Sequence, residues 1–143
     1  IENWNRVVSP GDNVYVLGDF GFFKNSEDTT RRLKQLNGHK HLIIGNHDVC
    51  RSVVMAKGWQ STSMLKKVKE SGQHIILCHY AMRTWEASHK GSWHLYGHSH
   101  GLLEENGSMS FDVGVDSWNF TPVSFEQVCV KMEWLRSNNC KET

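Results

Sequence analysis

Asn13-Val14-Tyr15-Val16-Leu17-Gly18-Asp19 is a short apolar, β-branched run that stops at a glycine and delivers a carboxylate directly behind it. Such a run reads as a buried strand feeding a loop, after the turn cluster Ser9-Pro10-Gly11-Asp12. The same design recurs downstream. His41 to Ile44 runs into Gly45-Asn46-His47-Asp48, Gln73 to Cys78 runs into His79, and Ser92 to Tyr96 runs into Gly97-His98-Ser99-His100. Four apolar segments therefore each end in an oxygen or imidazole donor. In an α/β sheet the loops that leave the carboxyl ends of strands converge in one crevice, so these blocks are expected to meet.

Between the strands the helical signals are shorter. Ile1 to Val8 places Ile1, Trp4, Val7 and Val8 on one helical face. Ser26-Glu27-Asp28 starts a helix expected to run to about Leu36, with Asn37-Gly38 as its stop. Arg51 to Lys57 reads as a short helix closed by Gly58. From Ser124 to about Arg136, Phe125, Val128, Met132 and Leu135 recur at helical spacing behind Pro122. Met64 to Lys69 and Gln73 to Cys78 flank Glu70-Ser71-Gly72 as a hairpin, and Ser110 to Val115 is a late strand after Glu105-Asn106-Gly107. Strands alternating with helices imply an α/β fold with helices on both sides of sheet.

The donor types suit borderline or hard divalent cations. Asp19 is the best candidate for a carboxylate bridging two cations, although Gly-Asp alone is an ordinary turn pair. Asn46 offers a carbonyl oxygen. His47 is then free to contact a scissile phosphate and protonate the leaving oxygen, with Asp48 orienting its ring; an Asx turn with a surface histidine is the plain alternative. His98 and His100, two apart, project to one side if extended, so each can serve one of two neighbouring ions. His79 alone reads more often as a satisfied strand-end histidine. Arg83, four residues after His79, can reach a phosphate or simply be a solvated charge.

A chain of 143 residues suits one domain spanning 1–143, and a formal net charge of +1 argues against a dedicated nucleic-acid binder. No apolar segment reaches the roughly 20 residues of a membrane helix. Four cysteines (Cys50, Cys78, Cys129, Cys140) without Cys-x-x-Cys spacing read as reduced thiols, so a cytoplasmic location is expected.

The order Gly-Asp, Gly-Asn-His-Asp, His, Gly-His-x-His resembles the calcineurin-like metallophosphoesterases. The stretches His79 to Trp85 and His94 to Gly101 further resemble the small, single-domain bacterial and phage members. The resemblance covers roughly Asn13 to Phe125. It implies a two-sheet β-sandwich flanked by helices and two divalent ions, Mn²⁺ preferred over Fe, Zn²⁺ or Ni²⁺. Asp19 would bridge both, Asn46, His79 and His98 would complete the second site, and His100 would bind the first. A metal-bridging hydroxide would attack phosphorus in line, with His47 as acid paired with Asp48.

Family members open with Asp-x-His on a first strand, and this chain has neither residue, so an N-terminally incomplete fold with a deficient first site is expected. The expected activity is phosphoester hydrolysis, diesters before monoesters, with Asn46, His47 and Arg83 touching substrate. Tyr80, Trp85, Trp93 and Trp118 can stack on a nucleobase of a nucleotide or nucleic-acid substrate, or serve as core and rim packing. A non-catalytic scaffold of the same fold is the alternative, and no obligate protein partner is evident. Asp112 and Asp116 are read as supports for a nearby loop or histidine rather than as ligands.

Overall fold

The computed structural model describes residues 1–48, 51–104 and 107–139. Glu105 and Asn106 of the expected turn, and Cys50 and Cys140 among the expected thiols, lie outside the described residues; Cys78 and Cys129 are free. Among the described residues no helix is long and apolar enough to cross a membrane.

Two small sheets carry the architecture. The first is fully parallel in the order β1 (Asn13–Val16), β2 (His39–Ile43), β3 (Trp59–Ser63). The second runs β4 (Leu65–Glu70), β5 (Gln73–Cys78), β6 (Trp93–Tyr96), β7 (Ser110–Asp112), antiparallel between β4 and β5 and parallel thereafter. The β4–β5 turn forms as expected, because Ser71 at φ 47° and Gly72 at φ 86° supply the two left-handed positions of a tight hairpin. Strand β3 was not foreseen. Its sequence, Trp-Gln-Ser-Thr-Ser, is mostly polar and only half-covered, so it carries little apolar signal.

The helices are α1 (Glu2–Val7), α2 (Ser26–Lys34), α3 (Arg51–Val54) and α4 (Phe125–Asn139). Asn25, rather than Ser26, caps α2: its side chain accepts the Asp28 N–H at 2.9 Å. Expected as far as Lys57, α3 stops after one turn. Helix α4 buries Val128, Met132 and Leu135, the periodic positions, against Ile75, Leu77, Trp93, Leu95 and Phe111 of the second sheet. Ile43 from β2 joins that cluster, so one core holds both sheets.

The expected two-sheet β-sandwich flanked by helices is corrected by this arrangement. The molecule is a mixed α/β structure with sheets of three and four strands among the described residues. Helical cover is correspondingly thin. Helix α1 has six residues and buries none of them, and α3 has four, too short to shield a sheet face; among the described residues only α2 and α4 exceed two turns.

Candidate metal centre

The four donor blocks leave the carboxyl ends of β1, β2, β5 and β6, all members of parallel pairs, and they meet between the two sheets. Close backbone approach is what brings them together. A Cβ on Gly18 would lie 2.3 Å from His79 Nδ1, and one on Gly45 would lie 2.4 Å from Asp19 Oδ1, so only glycine fits at either strand end. Asp19 (φ 54°), His98 (φ 62°) and His100 (φ 50°) adopt left-handed backbone. Non-glycine residues rarely do so unless the surroundings enforce it, and such positions concentrate at functional sites.

Asp48 is fully buried and holds two loops in place. Its carboxylate accepts the backbone N–H groups of Asp19 at 2.6 Å, Phe20 at 2.9 Å and Gly45 at 2.9 Å. Sequence reasoning placed Asp48 behind His47; the structure shows its oxygens joining the β1 and β2 loops. The backbone N–H of His47 in turn donates to Asp19 Oδ1 at 2.9 Å, which leaves Oδ2 directed at the cluster. The His47 ring is exposed and stands beside Phe22, with centroids 5.2 Å apart.

At the centre is His79, with only 1% of its side chain exposed. Nδ1 lies 2.6 Å from the Leu17 carbonyl. A carbonyl only accepts, so Nδ1 carries the proton and Nε2 of the neutral ring presents a lone pair. Around Nε2 are Asn46 Oδ1 at 3.0 Å, His98 Nδ1 at 3.2 Å and Asp19 Oδ2 at 3.4 Å. Donor atoms of Asp19, His79 and His98 all lie within 4.8 Å of one another. His98 Nδ1 either donates a proton to His79 Nε2, closing a hydrogen-bonded joint, or turns its lone pair inward beside the others, where a cation would be held. A carboxylate, two imidazoles and an amide carbonyl suit a borderline divalent cation. The Leu17 carbonyl behind His79 is the kind of outer hydrogen bond that sets a ligating tautomer.

The structure thus brings Asp19, Asn46, His79 and His98 together. His100 is directed elsewhere: its ring is 72% exposed and bonds Asp116 through Nδ1. That carboxylate raises the His100 pKa, chiefly by the hydrogen bond and then by charge. Asp112 accepts the Gly101 N–H at 3.0 Å and the Gly114 N–H at 2.7 Å, bracing the loop after His100. Arg83 is exposed on the segment that follows His79. Tyr80, also exposed, lays its ring against His98 with centroids 4.8 Å apart, whereas Trp93 is buried in the core. The site opens into a cleft of about 1690 Å³ whose walls include Asp19, His79, His98, His100 and Asp116. His94, buried behind the site, was missed as a contributor because it lies inside an apolar run where periodicity marks only core.

Fold and site together define a mixed α/β protein with a carboxylate, amide and imidazole cluster at its strand ends. The chain belongs to the family of the uncharacterized protein MJ1445 of Methanocaldococcus jannaschii, with which it is 30% identical across 93% of this chain and 73% of that protein. No family model matches the sequence. The crystal structure of the protein of unknown function AQ665 from Aquifex aeolicus is similar with a TM-score of 0.71, at 22% identity over 91% of this chain and 81% of that one. The shared fold is therefore that of a protein of unknown function, in place of the expected metallophosphoesterase sandwich.

Proposed function

We propose that the chain is a metal-dependent phosphoester hydrolase, with phosphodiesters as its leading substrates, related through its motifs to the calcineurin-like metallophosphoesterases and acting in the cytoplasm. The observation that carries this reading is the convergence of metal-ligating atoms of Asp19, Asn46, His79 and His98 at one point on an open cleft. Asp19 Oδ2, Asn46 Oδ1, His79 Nε2 and His98 Nδ1 would hold one divalent ion, Mn²⁺ by preference, and a second would need His100 to leave Asp116. Bound divalent metal lowers the pKa of water and neutralises charge developing on phosphoryl oxygens.

The protein's own groups do the rest. Asn46 and His47, both exposed beside the cluster, contact the phosphate, and Arg83 adds a guanidinium to its outer oxygens. His47 hands a proton to the leaving oxygen. Asn46, His47 and His98 are all exposed, and an open cleft can admit a doubly substituted phosphate, so diesters, including those of nucleotides, are favoured over monoesters.

The test is metal content by elemental analysis together with hydrolysis of bis(p-nitrophenyl) phosphate and p-nitrophenyl phosphate in Mn²⁺. Metal-dependent diester turnover, abolished by chelator, is the expected result. His47→Ala should lower turnover by about a hundredfold while metal content stays. Stoichiometric metal with neither ester cleaved would favour the second reading, a non-catalytic scaffold with one ion, which the His100 to Asp116 bond supports.

A further inference from the structure

His94 has no exposed surface, yet it is polar and lies on β6 in the middle of the core. An imidazole buried there costs desolvation unless both nitrogens find partners. Both do, and the partners belong to different segments. Nδ1 lies 2.9 Å from the Ile76 carbonyl of β5, and Nε2 accepts the Met82 N–H at 3.1 Å. The carbonyl fixes the proton on Nδ1 and so leaves Nε2 as the acceptor that Met82 requires. The Trp85 and Tyr96 rings stand beside it, at centroid distances of 5.3 and 5.4 Å.

Met82 lies between Tyr80, whose ring meets that of His98 edge-on, and Arg83. The far end of the same loop is tied to itself, through Trp85 Nε1 to the Ser92 carbonyl at 3.1 Å and the Ser92 N–H to the Ala87 carbonyl at 3.2 Å. Its near end is anchored to the sheet through His94. An apolar side chain of equal volume would fill the space but leave the Met82 N–H and the Ile76 carbonyl without these bonds.

We infer that His94 is a positioning residue, a neutral imidazole strut that sets the loop bearing Tyr80 and Arg83 against the metal cluster and so determines how substrate is held. The inference rests on the hydrolase reading for its kinetic consequence, but its structural half does not. In the Zn²⁺-loaded protein labelled with ¹⁵N, the His94 ring should be neutral with its proton on Nδ1 at neutral pH, and the Met82 amide should exchange slowly. A proton on Nε2, or a fast Met82 amide, would overturn the strut whether or not the protein is an enzyme.

Kinetically, His94→Phe should raise KM for bis(p-nitrophenyl) phosphate about tenfold with metal content unchanged and kcat less affected. His94→Gln, whose amide can accept from Met82 and donate to Ile76, should restore most of the loss. An active wild type with an unchanged KM in a folded His94→Phe would count against the inference. If His94→Phe does not fold, the Gln variant decides, since it must keep a near-native KM. No turnover by the wild type would sink the hydrolase reading alone and leave the tautomer measurement to judge His94.

Discussion

Asp48 shows how much one buried carboxylate organises. Three backbone N–H groups from two loops converge on it, and hydrogen bonds to a charged acceptor are stronger than neutral ones. Asparagine in its place keeps one oxygen and puts an NH₂ where an acceptor was needed. Asp48→Asn should therefore destabilise the protein by about 1–3 kcal/mol for each N–H left without a partner, read as a lower urea midpoint at unchanged slope. Full stability in that variant would mean that other groups hold the two loops. Gly45 tests the site from the opposite direction, since its φ is unremarkable and the constraint is purely spatial. A methyl group there would sit 2.4 Å from Asp19 Oδ1 and 2.9 Å from His79 Cε1, so Gly45→Ala must push a donor aside. Metal affinity should fall about 10–100-fold by competition with a chromophoric chelator; an unaltered affinity would place the metal elsewhere. Both residues stood in a readable block, yet their roles did not follow from it. Sequence spacing marks Gly45 and Asp48 as neighbours of a donor, but which backbone groups reach them depends on β1 and β2 lying side by side.

Strands β5 and β6 carry the element-scale consequence of burying His94 between them. Burial lowers the His94 pKa, the nearby Ile76 and Tyr80 carbonyls opposing that shift in part. The unfolded chain then binds a proton that the folded one refuses. The resulting stabilisation is fully present above the ordinary histidine value of about 6.5 and is lost as pH falls through it toward the lower folded value. Thermal unfolding followed from pH 7.5 down to 5 should show a decline that is shallower in His94→Gln; identical slopes would assign the decline to other groups. Strands β1, β2 and β6 were legible because each is a compact run ended by glycine, β5 because Ile75, Ile76 and Leu77 make an apolar run, and α4 because Val128, Met132 and Leu135 recur on one face. Strand β3 was not, since Gln60, Ser61 and Thr62 owe their conformation to pairing with β2 rather than to their own apolar content. The helical flanks of the expected sandwich failed for a related reason: α1 and α3 are helical in pattern but too short to cover a sheet.

For the whole molecule, the donor cluster lies where the two sheets meet. Asp19 and Asn46 follow strands of the first sheet, and His79 and His98 follow strands of the second. One tie already crosses between the sheets at this point, from the His79 ring to the Leu17 carbonyl at 2.6 Å. A cation held by all four donors would bind the folded chain and find no such site in the unfolded one, where the sheets are apart. Folding and binding are then linked, and free metal at a hundred times its dissociation constant stabilises by about 2.7 kcal/mol. For a chain of this size that amounts to roughly 5–11 °C in melting temperature. Mn²⁺ or Zn²⁺ should produce that rise in the wild type, EDTA should reverse it, and His79→Ala should abolish it, since His79 Nε2 is the atom nearest to all the other donors. His100→Ala should leave the rise intact, because His100 bonds Asp116 outside the cluster. A melting temperature indifferent to metal in the wild type would mean that hydrogen bonds among these side chains, rather than a cation, hold them together, and the cluster would then be a hydrogen-bonded joint between two sheets.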